Sequence, residues 1–317
     1  MVYFIERKLK GRKYIYAVHS VRLPNGKLAK LSKIVNKKKV TSELLAFFRS
    51  KEEKLRKETA VSLFDKDSVF TAGHIEKLEQ TKLEYKKVVS GLTRKQLQDL
   101  FDRFTVNFTY ESNALEGNSL TLKDVAIVLF EKMMIKGKEL REIYETRNSR
   151  KVVELILKKK FDVKEKDIIK MHRLLVKDMD IETGYKKIPN FLVERKVETT
   201  PPEMVSKEMK ELIAWYSSKN EMHPLQKAAH FHAKFEKIHP FDDGNGRVGR
   251  FLINVILIKN GYAPLIIRKS QRIAYFKCLE DYDNGYAPNL EHFMLEKYKN
   301  TFDKFFRVYI KYLDKHN

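Results

Sequence analysis

The chain has 317 residues, of which 43% are hydrophobic and 33% are charged; this balance excludes global disorder and predicts a folded protein with a densely ionic surface. Its 64 Lys and Arg residues outnumber its 42 Asp and Glu residues, and the resulting net charge of +22 favours polyanionic partners such as nucleotide phosphates or nucleic acid. The single cysteine, Cys278, excludes an intramolecular disulfide and a cysteine metal cluster.

Apolar runs in this chain are too short to cross a membrane. The longest, Phe251 to Ile258, is interrupted by Asn254, whereas a bilayer span needs roughly 20 residues. The first ten residues carry several charges where a secretory signal would place its apolar segment. We therefore expect a soluble protein of the cytoplasm with no membrane partner.

The N-terminal residues 1–36 are predicted to form a small antiparallel sheet. Strand-like patterns occur at Val2–Arg7, Lys13–Val21 and Leu28–Val35, and Pro24-Asn25-Gly26 supplies a turn between the last two. The alternation of apolar and polar residues is imperfect, so the register of the strands stays open.

Helical periodicity dominates after the sheet. Thr41 is the expected N-cap of the first helix, and capping boxes at Thr93 with Gln96 and at Thr121 with Asp124 predict two further helix starts. Longer apolar periodicities predict additional helices over residues 138–159, 164–177, 203–218, 225–237, 247–260, 270–284 and 289–314.

The segment His239 to Arg250, with the sequence HPFDDGNGRVGR, lies between two predicted helices and is the richest in chemically capable residues. Gly244 and Gly246 around Asn245 allow successive backbone N–H groups to form a concave nest. The helix that starts directly afterwards adds the positive end of its dipole. The segment therefore predicts an anion-binding site.

Four side chains give this predicted anion site its chemistry. Arg247 and Arg250, three residues apart, would face the same side of the helix and clamp phosphate oxygens. Asp243 offers the oxygen ligand that Mg²⁺ prefers, and His239 can accept the proton of an attacking hydroxyl near neutral pH. A tight turn with a helix cap and exposed charges is the simpler interpretation of the glycines and arginines alone. The added base and carboxylate favour a reactive site.

The same segment resembles the signature of the Fic family, His-x-Phe-x-(Asp/Glu)-Gly-Asn-Gly-Arg-x-x-Arg, and every specified position is filled. The resemblance implies a mainly α fold, a Fic-type helical bundle with a small β-hairpin flap. It also implies a nucleotidyltransferase, a protein adenylyltransferase that uses Mg²⁺ and transfers AMP from ATP to a Ser, Thr or Tyr hydroxyl of a target protein. The implied roles are general base for His239, metal ligand for Asp243, inward anchor for Phe241, and phosphate cradle for Gly244, Asn245, Gly246 and Arg247.

An upstream segment, Ser112 to Gly117 with the sequence SNALEG, resembles the inhibitory motif of this family, (Ser/Thr)-x-x-x-Glu-(Gly/Asn). A carboxylate reaching from Glu116 to Arg250 would neutralise the clamp meant for the γ-phosphate, so ATP would bind in an unreactive pose. Taken alone, Glu116 reads as an ordinary exposed glutamate before a glycine that ends a helix. Together with the catalytic loop, it predicts autoinhibition.

The interval 184–202 interrupts the helical pattern. Phe191, Val193 and Val197 among polar residues predict a short hairpin. This hairpin resembles the flap of the family, which pairs with the backbone of the target by β-augmentation and aligns its hydroxyl.

Tyr275, Phe276 and Asn284 lie in a segment that resembles the adenine-contacting helix of the family, and we predict that they contact the base. Aromatic residues at this spacing also fit a protein core, so that alternative stays open. His230 and His232 invite a metal interpretation, but a His-x-His pair on a helix points its side chains apart. We therefore expect no zinc site.

Three regions follow from the resemblance: the accessory sheet at 1–36, a helical N-terminal region at 37–100, and a Fic catalytic domain at 101–317 that includes the inhibitory motif 112–117. An autoinhibited member of this family could be relieved or reinforced as a homodimer. The direction of the reaction is open, because Glu116 could instead align a water molecule that removes AMP from a modified target.

A nucleic-acid-binding regulator is the alternative from another class. Its surface would be the basic N-terminal sheet, in which aromatic residues and histidine interleave with cations suited to phosphate contacts and base stacking. The simpler explanation is an accessory sheet that docks on the helices or mediates dimerisation. The residues concerned are Lys8, Lys10, Arg12, Lys13, Tyr14, Tyr16, His19 and Arg22.

Overall fold

The computed structural model describes residues 2–23, 26–191 and 197–316. The chain divides into two compact units, Met1–Gln80 and Thr81–Asn317. Within the described ranges, every helix falls short of the length and apolar character needed to cross a membrane. The mainly α fold with a small antiparallel sheet, predicted from the sequence, is confirmed.

The first unit contains a three-stranded antiparallel sheet with the order β1-β2-β3. Strands β1 (Val2–Leu9), β2 (Arg12–Arg22) and β3 (Leu28–Val35) agree with the predicted segments within two residues at each end. The register, which the sequence left open, pairs Phe4 with Ala17 and Ala17 with Lys33. The predicted turn residues Pro24 and Asn25 lie outside the described residues.

Helix α1 (Ser42–Leu63) follows the sheet and packs on it. The Thr41 hydroxyl caps α1 by accepting a hydrogen bond from the Leu44 backbone N–H at 3.2 Å, as the sequence predicted. Ala17, Leu44 and Phe48 are the buried centre of this small core. Helix α2 (Ala72–Gly91), which the sequence did not single out, contains the boundary between the two units.

The second unit is a bundle of helices. Both predicted capping boxes are present, with the Thr93 hydroxyl accepting from the Gln96 N–H and the Thr121 hydroxyl accepting from the Asp124 N–H. Short π-helical and 3₁₀ segments occur at Ile127–Glu131 and Lys269–Gln271. After α2, the helices are α3 (Arg94–Leu115), α4 (Leu122–Ala126), α5 (Leu140–Leu157), α6 (Glu165–Leu175), α7 (Pro202–Ser218), α8 (Pro224–Ile238), α9 (Asn245–Lys259), α10 (Arg272–Asp283), α11 (Pro288–Phe305) and α12 (Arg307–His316).

The single helix predicted over 289–314 is wrong, because the structure divides it into α11 and α12. The break falls at Phe306, which is fully buried and packs edge-on against Tyr85 with ring centroids 5.2 Å apart. Apolar spacing continues across the break, so periodicity gives no sign of it.

Helix α9 lies at the centre of the second unit. Its residues from Arg247 to Ile258 are buried, and helices α3, α5, α6 and α8 all contact it. A helix surrounded in this way is fixed in position, and so is its N-terminal turn. That turn carries the second half of the predicted anion-binding loop.

Candidate active site

The predicted anion-binding loop is a tight bend between α8 and α9. It leaves α8 at His239, whose backbone is left-handed (φ 50°, ψ 59°), and enters α9 at Gly244, which is also left-handed (φ 80°). Left-handed backbone costs a residue other than glycine about 1–2 kcal/mol. Packing therefore imposes this bend. The first residue of the bend is His239, which is half-buried.

Asn245 and Phe241 hold the bend together. The Phe241 N–H donates to Asn245 Oδ1 at 2.9 Å, and Asn245 Nδ2 donates to the Phe241 carbonyl at 2.7 Å. The fully buried Phe241 ring stacks on His172, with centroids 3.9 Å apart and planes 4° apart. Phe241 therefore lies where an inward anchor was predicted.

His172 was not predicted from the sequence and adds a third tie to the bend. Its Nε2 lies 3.0 Å from the backbone carbonyl of Asp243, and because a carbonyl only accepts, Nε2 carries the proton. Burial lowers the pKa of His172 to about 4. The ring is therefore a neutral donor at physiological pH.

Four side chains of alternating charge form a ring at one side of the bend. Arg247 Nη1 lies 3.4 Å from Glu145 Oε1, and Arg247 Nη2 lies 3.5 Å from Asp243 Oδ1. Arg141 Nε lies 3.5 Å from Glu145 Oε1, and its Nη2 donates to Asp243 Oδ2. Asn118 Nδ2 completes the surroundings of Glu145 at 2.8 Å. The ring fixes the buried Arg247 between two carboxylates.

Asp243 is the candidate metal ligand. Its side chain is 38% exposed, so its carboxylate can be reached from solvent. Across the described ranges, no group of three or more His, Cys, Asp or Glu side chains could hold a metal ion. Mg²⁺ in nucleotide sites is usually held by one or two carboxylates together with phosphates and waters. The accessible Asp243 carboxylate meets that requirement for one ligand, and Mg²⁺ would have to share its oxygens with Arg141 and Arg247.

Arg250 is tied to the end of α3. Its Nη2 donates to Glu116 Oε1 and to the Ser112 carbonyl, each at 2.7 Å, and its Nε donates to Ser112 Oγ at 3.0 Å. Burial works to lower the pKa of Arg250, but the Glu116 carboxylate together with Tyr275 and Glu236 outweighs it, and the pKa is raised. The contact between Glu116 and Arg250 that the sequence predicted is present.

Two glycines of α9 allow this close approach. A Cβ at Gly246 would clash with Oε1 of Glu116, and a Cβ at Gly249 would clash with Glu236 and His232. The Glu116 carboxylate therefore lies directly against the glycines of the bend. Gly117, in contrast, has a left-handed backbone (φ 99°) and no neighbour within 4 Å of an added Cβ, so its role is to turn the chain after α3.

Both arginines have N–H groups that make no hydrogen bond with a described residue, although Arg247 Nη1 lies 3.4 Å from Glu145 Oε1. In the described part of the chain, Arg247 Nε and Nη1 and Arg250 Nη1 are buried and make no hydrogen bond. Buried cationic donors without acceptors are unfavourable, and such groups call for an explanation. Phosphate oxygens at the mouth of the nest would satisfy them. These atoms fit the triphosphate of ATP.

The predicted adenine contacts do not come together as one surface. Tyr275 is 1% exposed, and its hydroxyl lies 2.5 Å from His232 Nε2. It therefore lies in the core, which is the alternative that the sequence left open. Phe276 is half-buried with the Arg272 guanidinium 5.1 Å from its ring centroid. Asn284 is exposed at the end of α10, about 14 Å along the helix from Tyr275. Their contact with a base stays a prediction.

The two histidines of α8 have separate partners. His230 Nε2 lies 2.6 Å from Glu291 Oε1, and its Nδ1 lies 3.0 Å from the Tyr282 hydroxyl. His232 contacts Tyr275 instead. The two histidines thus bind different side chains, although Tyr275 and Tyr282 both lie on α10.

The predicted flap is described in part. Phe191 and Glu198 form an antiparallel bridge, as a hairpin at this place would require. Val193 lies within residues 192–196, outside the described residues. The Lys186 N–H donates to the Pro240 carbonyl at 2.9 Å, so this segment is attached directly to the bend.

The sequence did not predict three residues that support the site. Arg141, Glu145 and His172 contact loop residues that are more than 70 positions away in the chain. The only local signal is the spacing of Arg141 and Glu145, one helical turn apart, which ordinary surface ion pairs share.

The fold and the site share one arrangement: a central helix begins at a glycine-rich bend, and a carboxylate from an upstream helix lies against that bend. Residues 162–257 match the model of the Fic/DOC family. Over these residues the chain is therefore similar to the Fic/DOC family.

Comparisons with known proteins agree. Over 200 residues the chain is 33% identical to a relative named protein adenylyltransferase Fic from Drosophila grimshawi, an alignment that covers 61% of this chain and 41% of the relative. A Fic-domain signalling protein from Bacteroides thetaiotaomicron superposes with a TM-score of 0.65 at 26% identity, covering 75% of this chain and 97% of that one. A Fic family protein from Desulfovibrio desulfuricans gives a TM-score of 0.60 at 28% identity, covering 72% and 73%. The chain spans less than half the length of the curated relatives it matches.

Proposed function

We propose that the chain is a protein adenylyltransferase, which transfers AMP from ATP to a hydroxyl side chain of a target protein. The observation that carries the proposal is the bend at the start of α9, where Arg247 and Arg250 have buried N–H groups that make no hydrogen bond among the described residues. These arginines follow the glycine-asparagine-glycine sequence and His239 in the chain. The names of the relatives, protein adenylyltransferase Fic, support the same activity.

In the proposed reaction, the target hydroxyl attacks the α-phosphorus and gives its proton to His239. The new O–P bond forms as the bond between the α-phosphorus and the bridging oxygen breaks, and pyrophosphate leaves with that oxygen. Backbone N–H groups of the nest, the dipole of α9 and Arg247 stabilise the charge that develops. When bound, Mg²⁺ on Asp243 would neutralise phosphate charge.

Autoinhibition is the second part of the proposal. Glu116 accepts a hydrogen bond from Arg250 Nη2, which is the arginine meant for the γ-phosphate. While this pair persists, ATP binds without its γ-phosphate seated, and the α-phosphorus is not in line with the target hydroxyl. Loss of the Glu116 carboxylate would therefore activate the enzyme.

Target recognition is proposed to occur at the edge of the segment that Phe191 and Glu198 bridge. Phe191 is 80% exposed and Ile188 is 69% exposed, and such apolar side chains are typical of surfaces that bind a partner. An extended strand of the target would add to this edge through backbone hydrogen bonds.

The test of the activity is intact-protein mass spectrometry of the Glu116→Gly protein after incubation with Mg²⁺ and ATP. The expected result is a gain in mass equal to one or more adenylate groups by automodification. The same protein with His239→Ala as well is the matched control and should gain none. An unmodified Glu116→Gly protein would contradict the proposed activity.

Removal of AMP is a second candidate, because the Glu116 side chain is 35% exposed and bonds Arg250 through Oε1, so a water molecule can reach its carboxylate. Automodified Glu116→Gly protein is the substrate for the test. Loss of its adenylate on adding the parent enzyme, but not on adding more Glu116→Gly protein, would support removal. Equal retention of the label in both reactions would exclude it.

A further inference from the structure

Lys186 is a buried lysine outside the proposed chemical machinery. The residue is 3% exposed, and burial lowers the pKa of its amine. A buried amine needs hydrogen-bond partners, and Lys186 Nζ has two: Asn190 Oδ1 at 2.7 Å and Thr199 Oγ1 at 3.0 Å. Both partners belong to the segment around the predicted flap.

These contacts join the two limbs of that segment. Asn190 directly precedes Phe191, and Thr199 directly follows Glu198, so the pair flanks the antiparallel bridge. The Thr199 hydroxyl donates to the Asn190 carbonyl at 2.7 Å while accepting from Lys186. The Lys186 ammonium group thus joins the two limbs beside the antiparallel bridge.

Two of these three residues are attached to the proposed catalytic bend. The Lys186 N–H donates to the Pro240 carbonyl and Asn190 Nδ2 donates to the Phe241 carbonyl, each at 2.9 Å. Pro240 and Phe241 are the first two residues after His239. The base of the hairpin is therefore hydrogen-bonded to backbone one and two residues from the proposed general base.

We propose that Lys186 is a positioning residue that holds the target-binding edge at Phe191 and Glu198 in a fixed place relative to His239. This inference rests on the proposed function. An ammonium group has three donors, so it can bond both limbs at once, whereas a neutral methylene chain of equal length bonds neither. Displacing a bound hydroxyl by about 1 Å can lower a reaction rate about a hundredfold, so a loose edge should impair transfer without impairing nucleotide binding.

The experiment compares Lys186→Met with Lys187→Met, both made in the Glu116→Gly protein. Lys187 is the matched control because it is exposed and pairs with Glu182 on the surface. The readouts are hydrogen exchange over residues 184–202, the Kd for ADP by calorimetry, and the initial rate of adenylate transfer. For Lys186→Met we expect faster exchange in this segment, transfer reduced at least tenfold, and a Kd for ADP within about twofold of the control.

Transfer and exchange equal to those of Lys187→Met would overturn the inference. An equal loss of ADP binding and transfer would also overturn it, because it would show a general structural role. If the Glu116→Gly protein transfers nothing, the proposed function fails, and unchanged exchange in Lys186→Met would separately refute the positioning role. If Lys186→Met does not fold, Thr199→Val can be used instead, because it removes the hydrogen bond between Lys186 and one of the two limbs. We expect Thr199→Val to give a smaller change in the same direction.

Discussion

Replacing Glu116 with glycine should increase the rate of adenylate transfer, and the structure gives the size of the effect. The carboxylate of Glu116 must leave Arg250 before a γ-phosphate can bind there, so the parent enzyme spends free energy on breaking this pair. A hydrogen bond between charged groups is worth about 1.5–3 kcal/mol. Since the Glu116 side chain is 35% exposed, solvent screening places the pair at the lower end, about 1.5–2 kcal/mol. At 1.36 kcal/mol per tenfold, transfer should rise roughly ten- to thirtyfold.

The same substitution should cost little stability. Arg250 keeps the Ser112 carbonyl at 2.7 Å and the Ser112 hydroxyl at 3.0 Å, so its guanidinium is not left without acceptors. We expect the free energy of unfolding to fall by about 1–2 kcal/mol, the ordinary value for one lost hydrogen bond to a charged group. Activation by general loosening of the fold would require a larger loss.

Initial rates with labelled ATP, measured at equal protein concentrations, provide the assay. Glu116→Gln is the informative companion, because its amide oxygen can still accept from Arg250 while the negative charge is gone. Its rate should lie between those of the parent and Glu116→Gly. Equal rates for all three proteins would refute the autoinhibitory role of the pair, and a slower Glu116→Gly protein would show that Glu116 assists the reaction.

Three further changes test the site. His239→Ala in the activated Glu116→Gly protein should lower transfer by about 10²–10⁴-fold with the Kd for ADP unchanged in calorimetry; loss of ADP binding would contradict a role as base. Glu145→Gln should lower the free energy of unfolding by about 2 kcal/mol, less than a broken buried pair usually costs because Arg247 keeps one carboxylate. In urea unfolding, saturating ADP should raise the free energy of unfolding of Glu145→Gln by more than it raises that of the parent protein. Equal increases would count against the phosphate-binding role of Arg247. Phe241→Ala should cost about 3–5 kcal/mol in urea unfolding, and a loss below about 1 kcal/mol would show that the ring does not anchor the bend.

Features encoded by neighbouring residues were predictable from the sequence. A capping box needs only Thr93 and Gln96, and the nest needs only Gly244, Asn245 and Gly246, so a local pattern contains the whole interaction. The contact of Glu116 with Arg250 spans the fold, and it was predicted only because the motif at residues 112–117 resembles a known one. Residue chemistry alone favoured an ordinary surface glutamate.

The supporting residues of the site could not be predicted because their local patterns are not distinctive. Arg141 and Glu145 are one helical turn apart on α5, and so are Arg150 and Glu154 on the same helix. The first pair contacts Asp243 and Arg247, while the second pair is partly exposed away from the bend. Only tertiary packing, which brings the start of α5 to the start of α9, distinguishes them.

The absence of a side chain at Gly246 has a consequence for how the enzyme could be switched on. Oε1 of Glu116 fills the volume that a methyl group there would need, so under the proposed function this oxygen and an incoming phosphate would compete for space as well as for charge. A high salt concentration weakens the attraction between ions, but it does not relieve steric overlap. A change in the Glu116 side-chain rotamer or a movement of the chain at the end of α3 would release Arg250. A partner that binds this short stretch and draws the carboxylate aside would therefore act as a trigger.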